Sequence, residues 1–397
     1  MADHNRQLIE IFSRPLPDDE LAETTRKLCS VYLNGVWQTI SAKQMDIKLQ
    51  SGGLNNSLFV VKLAPNVKRI GDEPQTVILR IYRNVTCEGE LIQTAISLAL
   101  AERSLGPALL GVFPGGRIDE FIPSRIVTNK EFLNINVAQR LARIIANIHS
   151  LELPISKKPI LVDIIQKMLD ELKKSFRWIS KQKMPATIVK PEVRILKEGN
   201  VLLRQNFQIT EESLNGAQDG VDPLILIDYD YGSYFYRHVF AYFNSFEFYS
   251  KHFAGFDIAH YCMECCLHNE NPEYPYYSIL PEQWPEKEHR RKYIEAYLDE
   301  ATKIMKKRDG KKPWNISDLP ENRETAVEKL MTEINQFVAI ANLFWSIWSF
   351  YMAESSGKSE YPFFKYGFER IALYYYWKPE MLKYVAINPY VDNYSLS

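Results

Sequence analysis

The stretch Leu100–Arg125, LAERSLGPALLGVFPGGRIDEFIPSR, decides the fold class. Its first residues close a segment of helical spacing, GELIQTAISLALAERSL, which stops at the breaker pair Gly106 and Pro107. LLGVF and RIDEFIP then read as the arms of a hairpin with Gly115 and Gly116 in the turn. Upstream, TVILRIY (Thr76–Tyr82) is a further strand, and MDIKLQ and SLFVVKL are two more, joined by SGGLNNS (Ser51–Ser57). Together these segments predict a small β-rich unit with one helix, ending near Pro123. The first 25 residues are polar, contain Pro15 and Pro17, and predict a loose arm or a short helix.

Downstream the pattern changes to helical. NVAQRLARIIANIHSLEL and ILVDIIQKMLDELKKSFRWI both carry apolar residues at helical spacing. VLLRQNFQI and LILIDYD are short strands on either side of a polar loop. The remainder is helical and aromatic, with proline-rich loops between Pro272 and Pro285 and a polar link from Lys306 to Asn315. The class is therefore α+β, and 397 residues suit two lobes at roughly one per 150 residues.

Composition excludes several functions. With 46% hydrophobic residues the chain buries a sizeable core rather than remaining disordered. Its net charge of −1 excludes a nucleic-acid binder that works through a global positive field. Five cysteines, an odd number, fit a reducing compartment better than a disulfide framework. No apolar signal segment opens the chain, and the expected location is the cytoplasm. The most apolar run, FVAIANLFWSIWSFYMA (Phe337–Ala353), is shorter than the ~20 residues a membrane span needs and reads as a buried helix.

Some residues could carry chemistry. SGGLNNS could lay backbone N–H groups against phosphates, although a plain hairpin turn reads more naturally from this stretch alone. Asp228 ends an apolar strand, a position that suits either a Mg²⁺ ligand or a turn aspartate. Asn200 precedes another strand and could supply an amide oxygen or simply form a turn. Trp345 and Trp348 share a helix face, which suits core packing or an aromatic cage for a quaternary ammonium. HYCMECCLH (His260–His268) raises a zinc reading, weakened by the lack of a second Cys-x-x-Cys.

In their order these pieces resemble the choline/ethanolamine kinase family over Tyr32 to Tyr384. SGGLNNSLFVVKL, VILRIY, the opening stretch, EGNVLL, LILIDYDYGSYFYR, FDIAHYCMEC, LFWSIWSF and FKYGFERIALYY carry the likeness. The resemblance implies a protein-kinase-like bilobal fold: an arm over 1–25, a small β-rich N-lobe over 26–122, and a larger helical C-lobe over 123–397. It implies transfer of the γ-phosphoryl of ATP, with Mg²⁺, to the hydroxyl of choline or ethanolamine in phospholipid synthesis. A homodimer without nucleic-acid partners or membrane spans is expected. For ATP it implies Ser51, Gly52, Gly53, Asn55, Asn56, Arg80, Glu120 and Ile122. The metal would fall to Asn200 and Asp228, and the amino alcohol to Tyr231, Glu264, Trp345, Trp348 and Tyr366.

The chain departs from the family where catalysis is concentrated. The family loop resembles HNDLQEGN; here it reads VRILKEGN, which puts Ile195 at the aspartate position and leaves no catalytic base identified. Lys197 stands at a glutamine position near the cation site, Gln93 at the helix glutamate that pairs with the strand cation, and Cys265 at a tryptophan. The stretch from Leu151 to Glu198 is shortened, and HVFAYFNSFEFYSKHFA follows Arg237 as an extra block. Two explanations stand. The base has been lost, giving a catalytically impaired kinase or a non-catalytic dimer partner. Alternatively, the sequence comes from a faulty or alternative gene model, in which a missing exon deletes the front half of the loop and an unspliced intron adds the Phe-rich block; an abrupt deletion and an abrupt insertion beside intact motifs favour this second explanation.

Overall fold

The computed structural model describes residues 2–50, 56–82, 87–152, 161–175, 201–205, 207–210, 224–226, 254–268, 271, 273–308, 320–355 and 361–385. Within them the chain forms two compact units, the first of residues 2–125 together with 225–226 and the second of the remainder.

The first unit is a five-stranded antiparallel sheet of order β1-β2-β3-β5-β4. Its strands are β1 (Met45–Gln50), β2 (Asn56–Leu63), β3 (Thr76–Tyr82), β4 (Leu109–Phe113) and β5 (Gly116–Glu120). Period-two alternation sorts the two faces. Phe59, Val61, Val77, Leu79, Ile81 and Ile118 point into one buried cluster. Arg80, Arg117 and Asp119 alternate with them and lie on the other face.

The prolines near the N-terminus do not produce a loose arm. Two helices form, α1 (Ala2–Ile11) and α2 (Asp19–Tyr32), and Leu8, Phe12, Leu21 and Cys29 join the sheet's core cluster. Asp18 caps α2 by accepting from the Leu21 N–H at 2.8 Å, so the polar lead-in starts a helix. The hairpin turn is tighter than its two glycines suggest. Gly115 holds the turn at φ +90°, a conformation that favours glycine. Gly116 already belongs to β5, where a Cβ would stand 2.3 Å from the Arg80 carbonyl oxygen on β3. Helix α3 (Cys87–Ala101) precedes the hairpin.

The second unit is helical, with α4 (Asn129–Phe132), α5 (Ile135–His149), α6 (Leu161–Ser175), α7 (Gly255–Glu264), α8 (Lys287–Lys307), α9 (Arg323–Ser355) and α10 (Phe363–Val385). Short strands β6 (Ser124–Ile126), β7 (Val201–Arg204) and β8 (Leu224–Leu226) form a small sheet. A second, two-stranded sheet pairs β9 (Leu267–His268) with β10 (Ser278–Ile279). Helix α5 packs on α8, and α9 packs on α10, α7 and α6. The apolar run Phe337–Ala353 lies within α9 as a buried helix, with Asn342, Ser346 and Ser349 all buried. No described helix is long and apolar enough to cross a membrane.

Two side chains fix α7. Glu333 of α9 accepts from the Gly255 N–H at 3.0 Å and takes over the cap that Ala254 cannot provide. At Gly255 a Cβ would fall 2.1 Å from the Glu333 Cβ, so glycine is required there. His149, at the end of α5, lies 2.9 Å by Nδ1 from the Tyr297 hydroxyl of α8 and 2.6 Å by Nε2 from the Asp257 carboxylate of α7. An ionised carboxylate only accepts, so Nε2 carries the hydrogen.

Candidate active site

In the second unit an acidic and aromatic cluster forms around α7, α9 and α10. The spacing of Trp345 and Trp348 puts their rings 5.2 Å apart, near perpendicular at 82°. Trp345 donates its indole N–H to His260 Nε2 at 2.7 Å, and the opposite ring nitrogen of His260 lies 3.3 Å from the Phe256 carbonyl. An indole can only donate, so Nε2 of His260 is the bare nitrogen and the imidazole is neutral. Burial acts in the same direction, pulling its pKa down to about 4. His260 lies one helical turn before Glu264 on α7, so Trp345 is tied to the helix that carries the acid. Trp348 meets Phe363 edge-on at 5.6 Å; Phe363 touches Tyr361 at 4.7 Å, and Tyr361 lies 6.1 Å from Tyr366.

Glu264 and Tyr366 come together at a residue that sequence reasoning did not single out, Arg370 of α10. Its Nε donates to the Tyr366 hydroxyl at 2.9 Å, and its guanidinium carbon stands 5.0 Å from the centre of that ring. Nη1 donates to Asn342 Oδ1 of α9 at 3.0 Å, and Nη2 lies 3.9 Å from Glu264 Oε1. The i, i+4 spacing of Tyr366 and Arg370 in FKYGFERIALYY was the available signal. Burial pushes the Glu264 carboxyl up to about 7, against the opposite pull of Arg370. The Tyr366 hydroxyl is pushed up to about 12 by burial and stays protonated.

The zinc reading of His260–His268 fails. Both ring nitrogens of His260 face protein partners, and burial raises the thiols of Cys262, Cys265 and Cys266. Among the described residues no group of three or more His, Cys, Asp or Glu could hold a metal ion.

In the first unit Arg80 is buried on β3, directly opposite Arg117 on β5. Arg117 Nε donates to Asp119 Oδ1 at 2.9 Å, and Arg80 Nε lies 3.6 Å from Asp119 Oδ2. Asp119 thus brings an acidic partner to the strand cation where Gln93 replaces the family's glutamate. Two guanidinium groups, Arg80 and Arg117, thus flank one carboxylate on the sheet face turned away from the core cluster. Asn56 is buried at the start of β2, and Gln93 is buried on α3. Glu120 closes its own hairpin: its N–H donates to the Ala108 carbonyl at 2.8 Å, and its carboxylate accepts the Ala108 N–H at 3.0 Å. Ile122 is buried. Ser51, Gly52, Gly53, Asn55, Ile195, Lys197, Asn200, Asp228 and Tyr231 lie outside the described residues.

Comparison with known proteins follows from this geometry. The model of the choline/ethanolamine kinase family matches residues 47–245 and 241–375. The two segments meet inside the extra block after Arg237. Choline kinase A2 of Caenorhabditis elegans is 28% identical over 92% of this chain and 88% of its own. The choline/ethanolamine kinase of Homo sapiens is 28% identical over 89% of this chain and 85% of its own. In fold, the chain is similar to the crystal structure of the choline kinase of Cryptosporidium parvum. The TM-score is 0.60 at 21% identity, covering 91% of this chain and 97% of that one. That likeness extends the bilobal α+β architecture to this chain.

Proposed function

Because the chain belongs to the choline/ethanolamine kinase family, we propose that it transfers the γ-phosphoryl of ATP to the hydroxyl of choline or ethanolamine. The observation that carries this reading is the Glu264 carboxylate set beside Tyr366 within the aromatic run from Tyr361 to Trp348. A quaternary ammonium donates no hydrogen bonds, so a site for it needs ring faces and a negative charge. Tyr231, Glu264, Trp345, Trp348 and Tyr366 are the proposed wall. Trp345, locked to His260, is the fixed part of it.

The residues present suit ATP and Mg²⁺. Asn200 and Asp228 are hard oxygen donors, the type Mg²⁺ takes. Arg80, with Arg117 beside it, offers buried positive charge to phosphate, and the Ser51–Asn56 turn offers backbone N–H groups. When bound, ATP and Mg²⁺ supply the phosphoryl group and neutralise its charge. The protein's part is to hold the amine and to orient its hydroxyl, the kind of positioning that dominates phosphoryl transfer. A non-catalytic dimer partner, the other reading open to the sequence, gains no support from the relatives, which are named as kinases.

Incubation of the purified chain with labelled ATP and either amine tests the proposal. Labelled phosphocholine or phosphoethanolamine is expected. Glu264→Gln is expected to raise KM for the amine by about tenfold or more, since a charge-assisted contact of about 1.5–3 kcal/mol is lost. No product with either amine overturns the reading. A homodimer in the cytoplasm is part of the same proposal; sedimentation at twice the 46.2 kDa chain mass checks the first part and imaging of the tagged protein the second.

A further inference from the structure

We propose that Arg370 is a positioning residue of the amine site: it holds the Tyr366 hydroxyl in place and keeps the Glu264 carboxylate charged to receive the substrate's cationic head. This inference rests on the reading above, that Glu264 and Tyr366 bind the amine.

A buried guanidinium is an unexpected neighbour for a cation site. Arg370 is 1% exposed, and a guanidinium is the cationic head best suited to a buried, hydrogen-bonded position. Its geometry shows how the two positive charges are compatible. The strong bonds of the fork go to neutral groups, Nε to the Tyr366 hydroxyl and Nη1 to Asn342 Oδ1. Toward Glu264 the nearest approach is 3.9 Å, within ion-pair range but beyond hydrogen-bond length. Arg370 therefore favours ionisation of the carboxylate without itself occupying its lone pairs.

Asn342 is itself oriented. Its Nδ2 donates to the Val338 carbonyl at 2.8 Å and faces Met263 Sδ at 3.4 Å, so Oδ1 is left aimed at Arg370. Met263 is the residue before Glu264. One guanidinium thus joins α7, α9 and α10 at the point where the acid stands.

Among the described residues, Glu369 with its partner Lys365 faces Arg370, Tyr361 and Tyr366, Glu282 faces Cys266, and the remaining titratable groups near Glu264 are neutral near pH 7. They are Tyr366 on α10, Tyr361 just before it, Cys265 and Cys266 after α7, and His260 within α7; burial raises the tyrosines and thiols and lowers the imidazole. Of the charged groups, Arg370 sets the state of the acid. An opposite charge at this distance lowers a carboxyl pKa by about 1–3 units, so removing it shifts protonation of Glu264 upward by that amount. A protonated Glu264 offers a cation no charge.

The test is calorimetric titration of the full chain with choline and with ethanolamine, from about pH 5.5 to 8.5. It needs no turnover. The wild-type protein is expected to lose affinity by about tenfold per pH unit below its acid midpoint. Arg370→Gln moves that midpoint up and weakens binding at neutral pH by about tenfold or more. Arg370→Lys retains the charge and gives up the fork, so its midpoint stays while affinity falls. Wild-type affinity and midpoint in Arg370→Gln overturn the inference. If that variant does not fold, Arg370→Lys decides: a raised midpoint, or no change in either quantity, overturns it. Should Glu264→Gln lose binding and Arg370→Gln not, this inference alone falls. Should the wild-type protein bind neither amine, or Glu264→Gln bind both unchanged, the functional reading falls with it.

Discussion

His260 and Arg370 are two basic side chains in one neighbourhood, the first neutral and the second cationic. The imidazole is desolvated and accepts from an indole, so it stays neutral; the guanidinium keeps its proton and finds acceptors. Trp345→Phe removes the only hydrogen that the indole gives His260 Nε2. It is expected to cost about 0.5–1.5 kcal/mol in urea unfolding, the net worth of one hydrogen bond, and unchanged stability would argue that another donor replaces the indole. In the first unit Glu73 has an acid-sensitive role. Its carboxylate accepts from the N–H groups of Val36, Ile70 and Gly71, which pulls its pKa from 4.5 to about 2. The stabilisation is therefore complete above about pH 4.5 and is lost as the pH falls toward 2. A thermal melt series should show the wild-type midpoint dropping through that window and Glu73→Gln showing a smaller drop from a lower start. Neither role is legible in the sequence: Glu73 reads as a surface glutamate, and His260 invites a metal reading that partners at both ring nitrogens exclude.

At the scale of elements, β1, β2, β3 and β5 form where the β-prone runs predict strands, and α5 and α6 form where the helical spacing predicts helices, because both signals are local to the chain. The arm before Tyr32 was less legible. Over the first 25 residues the polar composition and two prolines predict a loose arm or a short helix; helices form there because Leu8, Phe12, Leu21 and Cys29 bury against a sheet formed later in the sequence. Helix α7 depends most on others, since its N-terminus is capped from α9 and its Asp257 is held from α5. Gly255→Ala is expected to push α7 away from Glu333. A cost of about 1–3 kcal/mol, the usual penalty for overpacking, should appear in denaturant unfolding together with weaker amine binding, because the same helix carries Glu264. Full stability in this variant would show that α9 yields at that point.

Across the whole molecule the question is how the proposed transfer proceeds when the family resemblance sets Ile195 at the aspartate position. Positioning and charge neutralisation persist without a base, and general-base help is worth about 10²–10⁴-fold. Replacing Val193→His, Arg194→Asn and Ile195→Asp together is therefore expected to raise kcat for choline by about 10²-fold in a coupled assay. No gain would place the base elsewhere, with Asp230 the nearest candidate in sequence to the proposed metal ligands. The sequence by itself determined the α+β class, the order of the elements, the switch from sheet to helices after the hairpin and the family, because strand and helix periodicity and contiguous motifs are local properties of the chain. It also identified Glu264, Tyr366, Arg80 and the two tryptophans as candidates. Only the tertiary structure decided their partners: Asp119 beside Arg80, His260 under Trp345, and Arg370 between Tyr366, Asn342 and Glu264. The charge a buried group carries depends on what lies within a few ångströms of it, and those neighbours come from segments far apart in the chain, so no local pattern can encode them.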